Sequence, residues 1–306
     1  LLYPIGEFKG DPALMQSDMK GLGDIQSGVD SAEASALRKR LAALDQDQVK
    51  DFLESLDMYG NYAHGTHVAG IAVEGNPFIR LLVARITYSH TVIPEEPTLE
   101  LARAEAKSIR ETVDYFKPNG VRAVNMSWGG SLRSIEEALE AHNAGGSPEE
   151  RRKLAREIFT IGDTALRESI RDAKDILFIT SAGNSDNDVK FDEFYPSGYD
   201  YPNMLSVGAV DAAGDETSFT SLGKVDIYAN GFEVESYVPG GNRIKFNGTS
   251  MSSPQVLNLA AKLLALDPAL GTAQLRRLIL DGSDAKVLAT RTIKLLNPAA
   301  SAALIR

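Results

Sequence analysis

From residue 77 onward, short apolar runs alternate with stretches whose apolar positions recur at helical spacing. "FIRLLVARI" (78–86) reads as a strand, "LELARAEAKSIRETVDYF" (99–116) as a helix and "RAVNMSW" (122–128) as a strand. Helical spacing then runs across 133–173, followed by the continuous apolar run "DILFITSAG" (175–183). Such a rhythm predicts an α/β fold, a mostly parallel central sheet with helices on both faces. The texture then changes to short strands broken by Gly, Asn and Asp: "NMLSVGAV" (203–210), "VDIYANG" (225–231) and "VESYV" (234–238). A helix is predicted from near Ser250 to Asp267, where Pro268 disfavours helix in the residue before it, and a last helix over 272–282.

The first sixty residues pattern differently. "SAEASALRKRLAAL" has Ser31 as N-cap with Ala34, Leu37, Leu41 and Leu44 at helical spacing, and "DQDQVKDFLESL" repeats the theme from Asp45 with Val49, Phe52, Leu53 and Leu56 on one face. The expectation is a helical segment over 1–60 packed on a larger domain over 61–306.

Composition narrows the function. The 306 residues are 43% hydrophobic, enough for a large core, and the net charge of -10 disfavours nucleic acid or an anionic membrane as a partner. There is no cysteine, so disulfides, a thiolate nucleophile and a cysteine zinc site are all excluded. The longest apolar runs are far shorter than a membrane span, and no signal segment opens the chain.

Three stretches carry candidate chemistry. In "HGTHVAGIA" (64–72) His64 is read as opening a small-residue helix that holds its ring at the edge of a cleft, with His67 assigned a structural place. In "NGTSMSSPQV" (247–256) Ser250 lies at the mouth of a helix, where its hydroxyl points outward and its amide faces a bound oxyanion. In "SAGNS" (181–185) Asn184 follows the best strand, at the carboxyl end where parallel sheets place their sites. Singly these are a helix histidine, a helix cap and a turn. Jointly, in the order His, Asn, Ser, they resemble the subtilisin-like serine peptidases, the subtilases. "NMSWGG" (125–130) resembles that family's substrate-binding segment, and the likeness extends over about residues 60–282.

The resemblance implies a serine endopeptidase acting on polypeptide substrates. Ser250 would be the nucleophile, His64 its base, and Asn184 with the Ser250 amide the oxyanion hole. Ser127, Trp128 and Gly129 would bind an extended substrate as an added strand. It further implies secretion or a cell-envelope location, no cofactor for the chemistry, and structural calcium, for which the acidic "NSDNDVKFDE" (184–193) is a candidate although no calcium-loop motif is present. Gln255 and Asn258 depart from the family's usual His and Gly. Oligomeric state is not legible.

The acid that should orient His64 is missing from its expected place. "IQSGVD" (25–30) has Gln26 where the family has aspartate, and the preceding "QSDMKGLGD" (16–24) is too polar and glycine-rich for the buried strand that would carry such an acid. Two expectations follow. Either 25–30 is a loop and the acid-bearing strand precedes Leu1, or Gln26 occupies the acid position and the chain is a peptide-binding pseudoprotease. Poor strand quality favours the first. Asp24, Asp30 and Asp57 are left unassigned.

Overall fold

The computed structural model describes residues 11–26, 28–86 and 88–305, with the side chain of Gln26 outside the description. In chain order the elements are α1 (Pro12–Gln26), α2 (Ala32–Ala42), α3 (Gln46–Val73), α4 (Leu99–Phe116), β1 (Ala123–Met126), α5 (Leu132–Ala141), α6 (Pro148–Asp172) and β2 (Leu177–Ser181). There follow β3 (Met204–Val210), β4 (Ile227–Asn230), β5 (Val234–Tyr237), β6 (Arg243–Phe246), α7 (Thr249–Leu266), α8 (Thr272–Asp281), β7 (Asp284–Val287), β8 (Thr292–Leu295) and α9 (Pro298–Ala303).

β1, β2, β3 and β4 lie side by side and parallel; β8 continues the sheet beside β4, and β7 closes that end antiparallel to β8. Alternation along β2 and β3 sorts their side chains between two faces. Leu177, Ile179, Leu205 and Val207 pack under α7 and α8, with Val256, Leu259, Leu263, Leu275 and Ile279. Phe178 and Met204 face the other way, onto Val113 and Phe116 of α4 and Leu166 and Ile170 of α6. Both faces are thus covered, the condition for a buried parallel sheet.

The helical region deviates from expectation in an informative way. Ser31 and Asp45 cap α2 and α3 as predicted, but the helix begun at Asp45 runs on to Val73, so His64 sits well inside it rather than at its start. The sequence suggests a break because Gly60 and Gly65 weaken helix locally. Packing overrides them: Phe52, Leu56, Tyr59, Ala63 and Ile71 form one buried stripe against Met15, Leu37, Val238, Phe246 and Met251. At Gly70 a side chain would overlap the Ser236 hydroxyl, so glycine lets α3 approach β5 this closely. Residues 16–24, rejected as a strand, are helical, and Ile25 and Gln26 are the last turn of α1 rather than loop.

Among the described residues the predicted strand 78–86 forms no ladder and makes no main-chain hydrogen bond from residue 80 to 86, and Phe78 is 79% and Val83 72% exposed. The strands β6, β7 and β8 were not anticipated.

Leu263 is fully buried between α7 and the sheet. Leu263→Ala is expected to lower unfolding free energy by about 2–5 kcal/mol, read from urea denaturation midpoints.

Candidate active site

The site grows from the first turn of α7. Pro254, inside the helix, has no N–H for the carbonyl of Ser250 four residues earlier. That orphaned acceptor takes a hydrogen bond from Ser127 Oγ at 2.9 Å. Ser127 in turn accepts from Asn125 Nδ2 at 2.8 Å and lies 3.0 Å from Ser253 Oγ, so the end of β1 is fastened to the start of α7.

A second fastening joins β2 to the same turn. Thr249 N donates to Asn184 Oδ1 at 2.9 Å, and Thr249 Oγ1 donates to it at 2.8 Å. Because an amide N–H can only donate, the Asn184 atom facing it must be the carbonyl oxygen, which leaves the Asn184 NH2 group directed elsewhere. Gly248, at φ 142°, precedes this turn, and a Cβ there would lie 3.3 Å from Asn184 Nδ2. Its conformation is one that only glycine adopts without strain.

Around this turn opens a cleft of about 490 Å³. It brings together all six predicted residues: His64, Ser127, Trp128, Gly129, Asn184 and Ser250. Ser250 Oγ makes a long 3.5 Å hydrogen bond to Ser127 O, and no hydrogen bond joins it to His64. The Ser250 amide, at the positive end of α7, makes none either. Two donors lining the cleft, Ser250 N–H and the Asn184 amide, therefore have no hydrogen-bond partner among the described residues. The opposite wall comes from α1, with Met19, Lys20, Leu22 and Gly23, and from Asp57, Gly60 and Asn61 of α3.

His64 is half-buried, and desolvation holds its imidazole below the ordinary histidine pKa, so it is neutral and able to accept a proton at neutral pH. Its neighbour on the next turn, His67, is structural as expected. It is fully buried, donates Nε2–H to Ile244 O at 3.0 Å and stacks against Phe246 at 4.6 Å. Together with the Ser236 hydroxyl bond to His67 O, at 2.8 Å, it fixes α3 against the β5–β6 hairpin and so aims His64.

None of the three unassigned carboxylates pairs with His64. Asp24 is held by Lys20 at 2.6 Å and Ser31 at 2.5 Å, and Asp30 pairs with Arg38 at 2.9 Å. Asp57 lies two helical turns before His64, about 10 Å along the axis, and its charged neighbours are His90 and Glu54. Among the described residues His64 has no carboxylate partner. The side chain of Gln26 lies outside the described residues.

Sequence reasoning missed the supporting residues Asn125, Thr249 and Ser253. The spacing of Ser250 and Pro254, four residues apart in a helix, was the available signal. The two departures from the family pattern have structural work: Gln255 Nε2 donates to Asn230 O at 2.5 Å, and Asn258 Nδ2 caps α3 through Ala72 O at 3.0 Å and Glu74 O at 2.8 Å. In the acidic stretch 184–193, Asp188 accepts the Lys190 and Phe191 amides and Asp192 accepts from Asn187 Nδ2. No group of three or more His, Asp or Glu side chains converges among the described residues.

Residues 25–295 match the profile of the Subtilase family. A subtilisin of Bacillus pumilus is 28% identical over 281 residues, covering 90% of this chain and 88% of the relative. Subtilisin DY of Bacillus licheniformis is 28% identical over 236 residues, covering 73% and 70%. The crystal structure of a cold-adapted subtilisin-like serine proteinase superposes with a TM-score of 0.56 at 24% identity, covering 78% of this chain and 75% of that one, and shares its fold.

Burial pushes the His67 pKa down to about 4. Its unfolded value is near 6.5, so between these limits the unfolded chain binds the extra proton and stability falls as pH falls, by about 3 kcal/mol in total. Denaturant midpoints of His67→Gln are expected to lose this part of the dependence between pH 6.5 and 4.

Proposed function

The chain belongs to the subtilase family of serine peptidases, and we propose that it hydrolyses peptide bonds through a Ser250 acyl-enzyme. The observation that carries this reading is the pair of donors, unpartnered among the described residues, that line a cleft also holding Ser250 and a neutral His64. Ser250 Oγ attacks the peptide carbonyl while His64 takes its proton. The developing oxyanion is received by Asn184 Nδ2–H and the Ser250 amide, at the positive end of α7. Protonated His64 then donates to the leaving amine, and a water deprotonated by His64 releases the acyl group. The exposed main chain of Ser127, Trp128 and Gly129 holds the polypeptide extended along the cleft rim.

Support for each role is geometric. Asn184 cannot turn its amide away without breaking two hydrogen bonds to Thr249. Ser250 cannot shift along the helix axis without losing the Ser127 bond. An extracellular or cell-envelope setting belongs to the same reading, by likeness to the subtilisins; among the described residues no helix is long and apolar enough to cross a membrane.

A second reading, a peptide-binding chain with Gln26 in the acid position, is favoured by the absence of a carboxylate partner for His64 among the described residues. A Gln there leaves the imidazole without an anion to stabilise its protonated form, and loss of the acid lowers kcat by about 10⁴ in serine peptidases. Gln26→Asp separates the two: no gain in peptide hydrolysis is expected if the acid belongs elsewhere, whereas a gain of several orders of magnitude identifies residue 26 as the acid position.

Fluorophosphonate labelling of the chain is expected to vanish in Ser250→Ala, because only a base-activated hydroxyl reacts readily with such a phosphorus centre. Labelling that persists in the alanine variant moves the nucleophile elsewhere. Asn184→Leu is expected to retain substrate binding and lose about 10²–10³ in kcat, the loss measured on removing such a donor from a subtilisin.

A further inference from the structure

β1 and β2 are paired only as far as Met126 and Thr180, and beyond that register the two strand ends part. Gly130 exchanges both main-chain hydrogen bonds with Tyr195, at 3.0 and 2.8 Å, whereas Ala182 N donates to Val207 O and Gly183 O accepts from Ser221 N. Among the described residues no main-chain hydrogen bond joins 127–130 to 182–184. A slot therefore opens between the two ends, with Gly129 on one wall and Gly183 on the other.

The slot is already occupied. A Cβ on Gly129 would collide with Phe194 Cε1, and one on Gly183 would stand 3.8 Å from the same atom, so the Phe194 ring lies between the two glycines. Its main chain holds it there. Phe194 N donates to Val189 O at 2.8 Å, Phe194 O accepts from Gly198 N at 2.9 Å, and the next residue, Tyr195, is the one paired with Gly130. The Tyr195 ring packs on Phe159 of α6 at 5.4 Å, so the segment that carries Phe194 is anchored on both sides.

In the proposed mechanism the attacked carbonyl stands at Ser250, with its oxygen on Asn184 Nδ2 and the Ser250 amide, while the acyl side of the substrate runs extended beside Ser127, Trp128 and Gly129. Asn184 directly follows Gly183. The residue that supplies the carbonyl is thus placed between the segments of the two glycines, and the slot is the space left for its side chain. We propose that Phe194 fills this slot and restricts cleavage to bonds that follow glycine or alanine; the inference rests on the roles proposed for Ser250 and Asn184. A close-packed interior takes no added side chain without displacing one already there. A hydrogen or a methyl group asks for little of that space, whereas a Leu or Phe side chain needs the part that the ring occupies.

Trp128, the chain's single tryptophan, lines the cleft, and its fluorescence reports occupancy without turnover. Two peptides are titrated into the whole chain, acetyl-Ala-Val-Ala-Ala and acetyl-Ala-Val-Ala-Phe, each with a free terminal carboxylate that meets the oxyanion donors as a product does. The Ala-ended peptide is expected to bind at least tenfold more tightly, since even one methylene in a pocket discriminates by about 10–200-fold. Phe194→Ala is expected to reverse that order. Equal or tighter binding of the Phe-ended peptide by the unmodified chain overturns the proposal, and this comparison depends on no variant's folding. An unchanged order in a Phe194→Ala chain that melts cooperatively overturns it as well, as does a Trp128 signal that responds to neither peptide. Binding order and fluorophosphonate labelling are read separately: a preference for the Phe-ended peptide with labelling intact removes the filled slot alone, whereas labelling that persists in Ser250→Ala removes the nucleophile on which the slot's role rests.

Discussion

Pro254 deprives the Ser250 carbonyl of its helical donor, and Ser127 replaces it from the end of β1. On this exchange the rest of the site depends. Were the helix regular, the first turn of α7 would satisfy itself and have no need of the sheet. Because it does not, the nucleophile-bearing turn is fastened to one strand through Ser127 and to the next through Asn184 and Thr249. Behind it α7 is almost wholly buried, with Ser252, Ser253, Val256, Ala260 and Leu263 at 0% exposure, so the turn has no freedom to drift. Preorganisation here is a matter of hydrogen bonds that hold the turn: the Ser250 carbonyl is committed to Ser127, and the Thr249 amide and hydroxyl to Asn184.

His64 is placed by a different device. Its own helix is long and runs from Gln46 to Val73 without a break, past residue 60. Close approach at Gly70, the buried His67 and the Asn258 cap fix the carboxyl half of α3 against β5, β6 and α7. The amino half packs with α1 and α2, and α1 contributes a wall of the cleft.

Legibility in the sequence followed the strength of local pattern. α4, α6, β2 and β3 were plain because their apolar periods are long or their runs unbroken. β6, β7 and β8 were not, since "RIKF", "DAKV" and "TIKL" are four-residue stretches interrupted by charge, too short and too polar to read as strands before their hairpin pairing, β5 with β6 and β7 with β8, is seen. The extent of α3 was hidden by two glycines that only tertiary packing tolerates. Residues 78–86 read as a strand because they are apolar and β-branched, yet strand formation takes two segments, and among the described residues none pairs with 80–86. At the site, His64, Asn184 and Ser250 were legible as types in characteristic surroundings. The hydrogen bonds that aim them, from Ser127 and Thr249, arise from contacts across more than sixty residues and leave no local trace.

The account turns on the claim that the Asn184 amide and the Ser250 N–H converge on the same oxygen when Ser250 is acylated. A crystal structure of the chain after reaction with a peptidyl diphenyl phosphonate measures this directly. The account predicts phosphorus bonded to Ser250 Oγ, with one phosphoryl oxygen about 3 Å from both Asn184 Nδ2 and Ser250 N. A phosphoryl oxygen turned to solvent, with either donor more than about 4 Å away, or phosphorus attached to another side chain, would contradict it.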